Sequence, residues 1–113
     1  MDPRHAFARA GEKAAEQSYV EEGFQVLARN FRTRRGEIDL IVAKEGLVVF
    51  VEVKARKDGF SGYPLLLHRQ RRRLERAARV FLLGYDDWEE LRFDFVLYAH
   101  GRVIRRIEGE TFY

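Results

Sequence analysis

Cysteine does not occur anywhere in this chain of 113 residues, which excludes a disulfide scaffold, a thiolate zinc site and a cysteine nucleophile together. The three histidines, His5, His68 and His100, have no ligand spacing between them and read as surface or capping residues. Ser18 and Ser61 lack the histidine and acid partners that a hydrolytic triad needs. No apolar run approaches the roughly 20 residues of a membrane-spanning helix. The opening Met1-Asp2-Pro3-Arg4-His5 has no apolar core behind it, so no signal peptide is visible. No repeat, low-complexity tract or linker divides the sequence. One soluble, cytoplasmic domain over residues 1–113, without a membrane partner, is the expectation.

The chain is rich in apolar and arginine residues. At 46% hydrophobic it can bury a single core and is not expected to be disordered. The net charge of +3 is unevenly spread. Between His68 and Arg79 there are six arginines (69, 71, 72, 73, 76 and 79) against one acid, Glu75, a local +5 that leaves −2 for the remainder. A second cluster, Arg29, Arg32, Arg34 and Arg35, leads into Gly36-Glu37-Ile38-Asp39. Arginine's planar fork suits phosphate oxygens, so the two clusters suggest a polyanion, above all nucleic acid. A solvated helix face with an arginine bias accounts for the same charges about equally well.

Periodicity predicts a helix over residues 3–22 with Gly23 as its stop, then strands over 24–31, 37–44 and 47–55. Residues 32–36 read as a turn, and Glu45-Gly46 as a tight hairpin. Two glycines and a proline make 57–64 a loop, with a second helix from about 66 or 68 to 84. Residues 91–99 and 103–107 form a closing hairpin about His100-Gly101-Arg102. The order α-β-β-β-α-β-β predicts a mixed sheet flanked by helices, in the α/β or mixed α+β class.

The third strand, Leu47-Val48-Val49-Phe50-Val51-Glu52-Val53-Lys54, is apolar on both faces before its charges begin, as a doubly covered strand is. Charges there are costly to desolvate unless paired. By alternation Glu52 shares a face with Lys54, and Glu37 with Asp39. Asp39 and Glu52 lie on strands joined by a tight hairpin and can become neighbours. Glu12, at the edge of the first helix's apolar face with Ala8, Ala15 and Tyr19, can lean over the same point. A few carboxylates suffice to hold magnesium. The ion acidifies a bound water and neutralises charge on a phosphate, while a lysine orients that water. An isolated Glu-x-Lys is more often an ordinary exposed strand face. Apolar neighbours on both faces favour the metal-site reading here.

An acid on the first helix, then Gly36-Glu37-Ile38-Asp39-Leu40-Ile41, then Phe50-Val51-Glu52-Val53-Lys54 resembles the PD-(D/E)XK nuclease superfamily. More narrowly, the chain resembles the YraN-like family of small bacterial proteins, which are similar to archaeal Holliday-junction resolvases. The likeness runs from Gly11-Glu12 through Arg29-Asn30 and the two strands to the basic helix and Phe93-Asp94. It implies a restriction-endonuclease-like fold and Asp39 and Glu52 as ligands of Mg²⁺ or Mn²⁺. It further implies that Val53 offers its carbonyl to the metal, that Lys54 is the catalytic lysine, and that Glu12 is the helix-borne acid. Glu37 is then a supporting residue beside Asp39. One departure stands out. Gln70 occupies the place, one turn before Leu74, where a lysine is expected, and by helical phase it can still approach the site.

The expected activity is metal-dependent cleavage of structured or branched DNA. Arg32, Arg34 and Arg35 of the turn, with Arg69, Arg72, Arg73, Arg76 and Arg79 of the second helix, would follow phosphates without reading sequence. The rival expectation is a nucleic-acid-binding module that kept the fold without the chemistry. A third is a protein-interaction subunit whose basic helix meets an acidic partner. A homodimer is implied by likeness to resolvases, with the apolar residues 60–67 as a candidate contact. Residues 59–62 read as a mobile flap. Trp88 and Phe81 read as core or interface, and Asp94 as a structural buried acid paired with an arginine.

Overall fold

The chain's first ordering signal is local. Asp2 accepts a hydrogen bond from the Arg4 backbone N–H at 2.9 Å and caps helix α1 (Pro3–Glu21), whose first turn holds Pro3 where a missing N–H costs nothing. The computed structural model describes residues 2–57, 63–109 and 111, and the backbone course alone for 63–70. After α1 come strands β1 (Gln25–Thr33), β2 (Gly36–Lys44) and β3 (Leu47–Ala55), helix α2 (Tyr63–Leu82), and strands β4 (Glu90–Ala99) and β5 (Arg102–Glu108). This is the mixed α-β-β-β-α-β-β order expected.

The five strands form one sheet in the order β1-β2-β3-β4-β5. Only β3 and β4 run parallel, and α2 is the crossover between them. The β2–β3 and β4–β5 hairpins turn on Glu45-Gly46 and His100-Gly101, all four at positive φ, as type I′ turns require. Helices cover both faces. Leu74, Ala77 and Ala78 of α2 pack on Ile38, Ile41, Val48, Phe50 and Phe93. Ala15 and Tyr19 of α1 pack on Leu40, Val42, Val49, Val51 and Val96. Strand β3 therefore sends Val48 and Phe50 to one helix and Val49 and Val51 to the other. Among the described residues no helix is long and apolar enough to cross a membrane.

Of the boundaries that differ from the sequence reading, two have a visible cause. Strand β1 continues to Thr33 because the Thr33 hydroxyl closes the turn itself. It accepts from the N–H groups of Arg35 and Gly36, each at 3.1 Å, and donates to the Gly36 carbonyl at 2.8 Å. The expected five-residue turn shrinks to Arg34-Arg35. Helix α2 begins at Tyr63, inside the segment read as a loop, with Pro64 in its first turn, a position proline tolerates. The expected flap and the apolar residues 60–62 fall outside the described residues.

Behind the sheet, Asp94 is fully buried and saturated with donors. Tyr19 Oη donates to it at 2.6 Å, and Arg92 Nε and Nη2 each at 2.9 Å. The Gly109 N–H adds a longer bond at 3.3 Å. Burial, and then the Asp94 charge, push the Tyr19 hydroxyl well above its ordinary pKa. Arg106 lies over the Tyr19 ring at 4.4 Å and bonds Ser18 of α1 and Glu108 of β5. The network ties α1 to the β4–β5 end of the sheet. Asp94 pairs with an arginine, as its sequence context suggests.

Candidate functional site

The site is made by a split in the sheet. Strands β2 and β3 pair from Lys44↔Leu47 as far as Leu40↔Val51 and then part. Beyond that point β3 stays with β4, from Glu52↔Phe95 to Ala55↔Tyr98. The start of β2 stays with β1, through Phe31↔Ile38, Arg32↔Glu37 and Thr33↔Gly36. At the fork the Asp39 carboxylate replaces the missing backbone acceptor and takes the Val53 N–H at 2.7 Å. Across from it in β1, Asn30 stands at φ +50°, a left-handed conformation that asparagine accepts more readily than most residues. Neither Asn30 nor Asp39 has a partner in the β1–β2 ladder register.

This irregularity breaks strict alternation, but only beyond Ile38. Strict alternation puts Glu37 and Asp39 on one face. However, Ile38 and Ile41 both pack toward α2, while Leu40 packs toward α1. Alternation slips by one residue at the fork. Glu37 precedes the slip, and its charge acts on Asp39, Glu12 and Glu52; it lines a groove of about 400 Å³ together with Glu52, Lys54, Arg34, Arg35 and Arg73 of α2. Asp39 lines a second groove, about 350 Å³, on the α1 side, with Arg9, Glu12, Lys13, Arg29 and Asn30. Glu37 itself forms an exposed ion pair with Arg32 at 3.4 Å, an arrangement of little energetic weight.

Glu52 and Lys54 point the same way and meet at 3.1 Å, their side chains 13% and 21% exposed. The acids sense one another through the fork. Burial, and then the Asp39 charge, push the Glu52 carboxyl up to about 7 against the opposing pull of Lys54. Burial also raises Asp39, with the Val53 N–H opposing and the Glu37 charge adding. Glu12 is raised by burial and by Asp39, while an Asn30 hydrogen bond lowers it. Raised acids at the mouth of a cleft are the kind of groups that chemistry uses.

Among the described residues no three carboxylates or imidazoles converge closely enough, as placed, to hold a metal ion. Lys54 occupies Glu52, and the Val53 N–H occupies Asp39. The donor chemistry nevertheless fits a hard cation. Asp39 and Glu52 are oxygen donors with raised pKa values, and a divalent ion relieves their mutual repulsion. Magnesium needs as few as one or two protein carboxylates. Those two residues would hold it, with Glu12 approaching from the α1 side.

The basic residues divide by position. Arg32, Arg34, Arg35 and Arg73 line the α2-side groove. Gly36 is where the turn meets α2. A Cβ there would lie 2.7 Å from the Arg73 carbonyl oxygen, so only glycine lets the Arg34-Arg35 turn sit this close to the helix. Arg72 and Arg76 are exposed along α2. Arg79 lies toward β4, in an apolar recess with Arg71, Leu82 and Phe93, away from the carboxylates. Arg71 pairs with Glu75 at 3.1 Å. The side chains of Arg69 and Gln70 fall outside the described residues. Sequence reasoning gave no role to Asn30, Arg9 or Lys13. Asparagine's tolerance of positive φ and the place of Arg29-Asn30 in the family likeness were the signals for the first, and the other two carried none.

Residues 11–98, the span from Gly11 through both carboxylate strands to Tyr98, match the uncharacterised protein family UPF0102. The chain belongs to the UPF0102 (YraN-like) family. It is 49% identical over 98 residues to a UPF0102 protein of Halorhodospira halophila, covering 84% of this chain and 78% of that one. It is 40% identical over 110 residues to a UPF0102 protein of Anaeromyxobacter dehalogenans, covering 95% and 82%. The UPF0102 match thus takes in Glu12, Asn30, Asp39, Glu52, Lys54 and α2, all the elements that build the fork.

Proposed function

We propose that this UPF0102 protein is a divalent-metal-dependent endonuclease of PD-(D/E)XK type. It acts in the cytoplasm on structured or branched DNA, with Mg²⁺ or Mn²⁺ as cofactor. The observation that carries the reading is the half-buried Glu52–Lys54 pair at the β2–β3 fork, one residue from the Asp39–Val53 bond and facing Arg34, Arg35 and Arg73. Asp39 and Glu52 would hold the ion, which when bound acidifies water and neutralises charge on the phosphate. Lys54, released from Glu52, is placed to orient the attacking water or to meet the developing negative charge. The arginines hold phosphates on the α2 side.

Four-way junctions, flaps and linear duplex, incubated with the protein in magnesium or manganese, test this directly. Cleavage of a branched substrate is expected, and EDTA should stop it. Lys54→Ala should reduce cleavage by at least about a hundredfold while leaving affinity nearly intact. Correctly folded protein that cuts none of these substrates removes the enzymatic reading.

A second reading has its own support in the occupied state of both carboxylates: a binding module with the same fold that holds nucleic acid without cutting it. Affinity insensitive to both EDTA and Lys54→Ala, with no cleavage, selects it. A homodimer completes the proposal, since a four-way junction presents two equivalent cuts. Sedimentation should show a dimer at micromolar concentration, and a concentration-independent monomer eliminates that part.

A further inference from the structure

Strands β1 and β2 carry matched irregularities. Ala28 and Phe31, three residues apart, both pack toward α2, and so do Ile41 and Ile38, their partners in β2. Strict alternation would send residues three apart to opposite faces. Between them, Arg29 reaches Glu16 of α1, and its partner Leu40 packs on the same helix. Asn30 on one strand and Asp39 on the other are left outside the pairing. Both line the α1-side groove with Glu12.

The interruption lets β1 grip α1 twice. Arg29 and Asn30 are consecutive, yet both address this helix. Arg29 holds Glu16 through two hydrogen bonds at 2.7 and 3.0 Å. The Asn30 side chain hydrogen-bonds Glu12, one turn earlier on the same helix face. Asn30 does so from φ +50°, a conformation that costs free energy outside glycine and that clusters at functional sites.

The side chain at this position is then a chemical choice. Glycine takes positive φ most freely but offers nothing to Glu12. Aspartate accepts the conformation but would add a negative charge beside Glu12, which burial and then the Asp39 charge already push up. Asparagine accepts the conformation and brings a neutral N–H donor, which favours the ionised acid.

We propose that Asn30 is a positioning residue, whose left-handed backbone turns its amide onto Glu12 and holds that helix-borne carboxylate beside Asp39, ready for the ion. The role rests on the reading of Asp39 and Glu52 as metal ligands. Groups of this kind orient ligands without touching the metal. The irregularity in β1 thereby serves the acid on α1, while its counterpart in β2 presents Asp39.

The test is Mn²⁺ binding by the full chain without nucleic acid, followed by loss of the free-ion paramagnetic resonance signal, so that no cleavage is needed. Asn30→Gly keeps the backbone and removes the amide. With Glu12→Ala and the combined variant it completes a double-mutant cycle. Asn30→Gly should bind Mn²⁺ about tenfold more weakly than wild type, the usual scale for losing a group that orients a ligand. Its circular dichroism should be unchanged, because glycine adopts this conformation readily. Glu12→Ala should lose at least as much affinity. The combined variant should match Glu12→Ala within about twofold, since the amide then has nothing to hold. Wild-type affinity in Asn30→Gly, with Glu12→Ala weakened, overturns the inference and leaves the metal centre standing. Equal losses from Asn30→Gly with and without Glu12 also overturn it, because Asn30 would then act through the backbone alone. Wild-type affinity in Glu12→Ala overturns it too and leaves Asp39 and Glu52 as the ligands. Failure of wild-type protein to bind Mn²⁺ at all overturns both this role and the metal reading.

Discussion

Asp94→Ala should lower the unfolding free energy by about 3–5 kcal/mol, the usual cost of removing one partner of a buried charged pair. In a domain of this size that corresponds to a fall in Tm of very roughly 12–20 °C. The cause is what the substitution leaves behind. Arg92, only 13% exposed at its side chain, keeps its charge and loses both of its bonds to residue 94. Tyr19 Oη loses its 2.6 Å acceptor in the interior, and an unsatisfied buried hydroxyl adds its own penalty. Urea unfolding followed by Trp88 fluorescence measures the loss. A shift of only a degree or two in Tm would mean that α1 is held by apolar packing alone. Metal affinity and cleavage by the protein that remains folded should change little, because Asp94 lines neither groove.

Glu52→Gln should do the opposite to stability while removing the chemistry. Burial holds the Glu52 carboxyl at about 7 in the folded protein against an ordinary 4.5. The folded state therefore binds this proton more tightly than the unfolded chain does. Wild-type protein loses the corresponding stability as pH rises from about 4.5 through 7, and above 7 the loss is complete. Glutamine has no charge to desolvate. At pH 8 the variant should be more stable than wild type by about 1–2 kcal/mol, less than the pKa difference alone suggests because Lys54 is left without its partner. Near pH 4 the advantage should vanish. Cleavage should fall at least about a hundredfold at every pH. Thermal melts at pH 4 and pH 8, beside an activity assay, check both halves. A destabilised variant at pH 8 would show that Glu52 serves the fold through Lys54. A gain in stability with loss of function is how residues placed for chemistry behave.

Much of the fold was legible because its signals are local. Glu45-Gly46 and His100-Gly101 mark their turns, the apolar run of β3 announces cover on both faces, and α2 shows its buried stripe at Leu74, Ala77 and Ala78. What escaped was set by contacts distant in sequence. Pro64 reads as loop until the backbone shows it at N-terminal helical positions. Alternation assumed an unbroken ladder and so missed the change of facing between Ile38 and Leu40. The slip occurs because the Asp39 side chain takes a backbone N–H from Val53, 14 residues away. Composition could identify Asp39, Glu52 and Lys54 as candidates. It could not show that β2 and β3 part between them, nor that Arg9 and Lys13 of α1 line a groove with Asp39.

Gly11 is the last residue of consequence, and it touches no proposed ligand. A Cβ at this position would come within 3.3 Å of the Cβ atoms of both Ala55 and Tyr98, so α1 rests on the sheet with almost no clearance just where Glu12 follows. The reach of Glu12 is thus governed by its predecessor's lack of a side chain. A bulkier residue there would act as a wedge, levering the helix outward and withdrawing the acid while leaving every functional group chemically intact. An enzymologist meeting such a protein would diagnose a missing carboxylate, when the fault was a spacer one atom too thick.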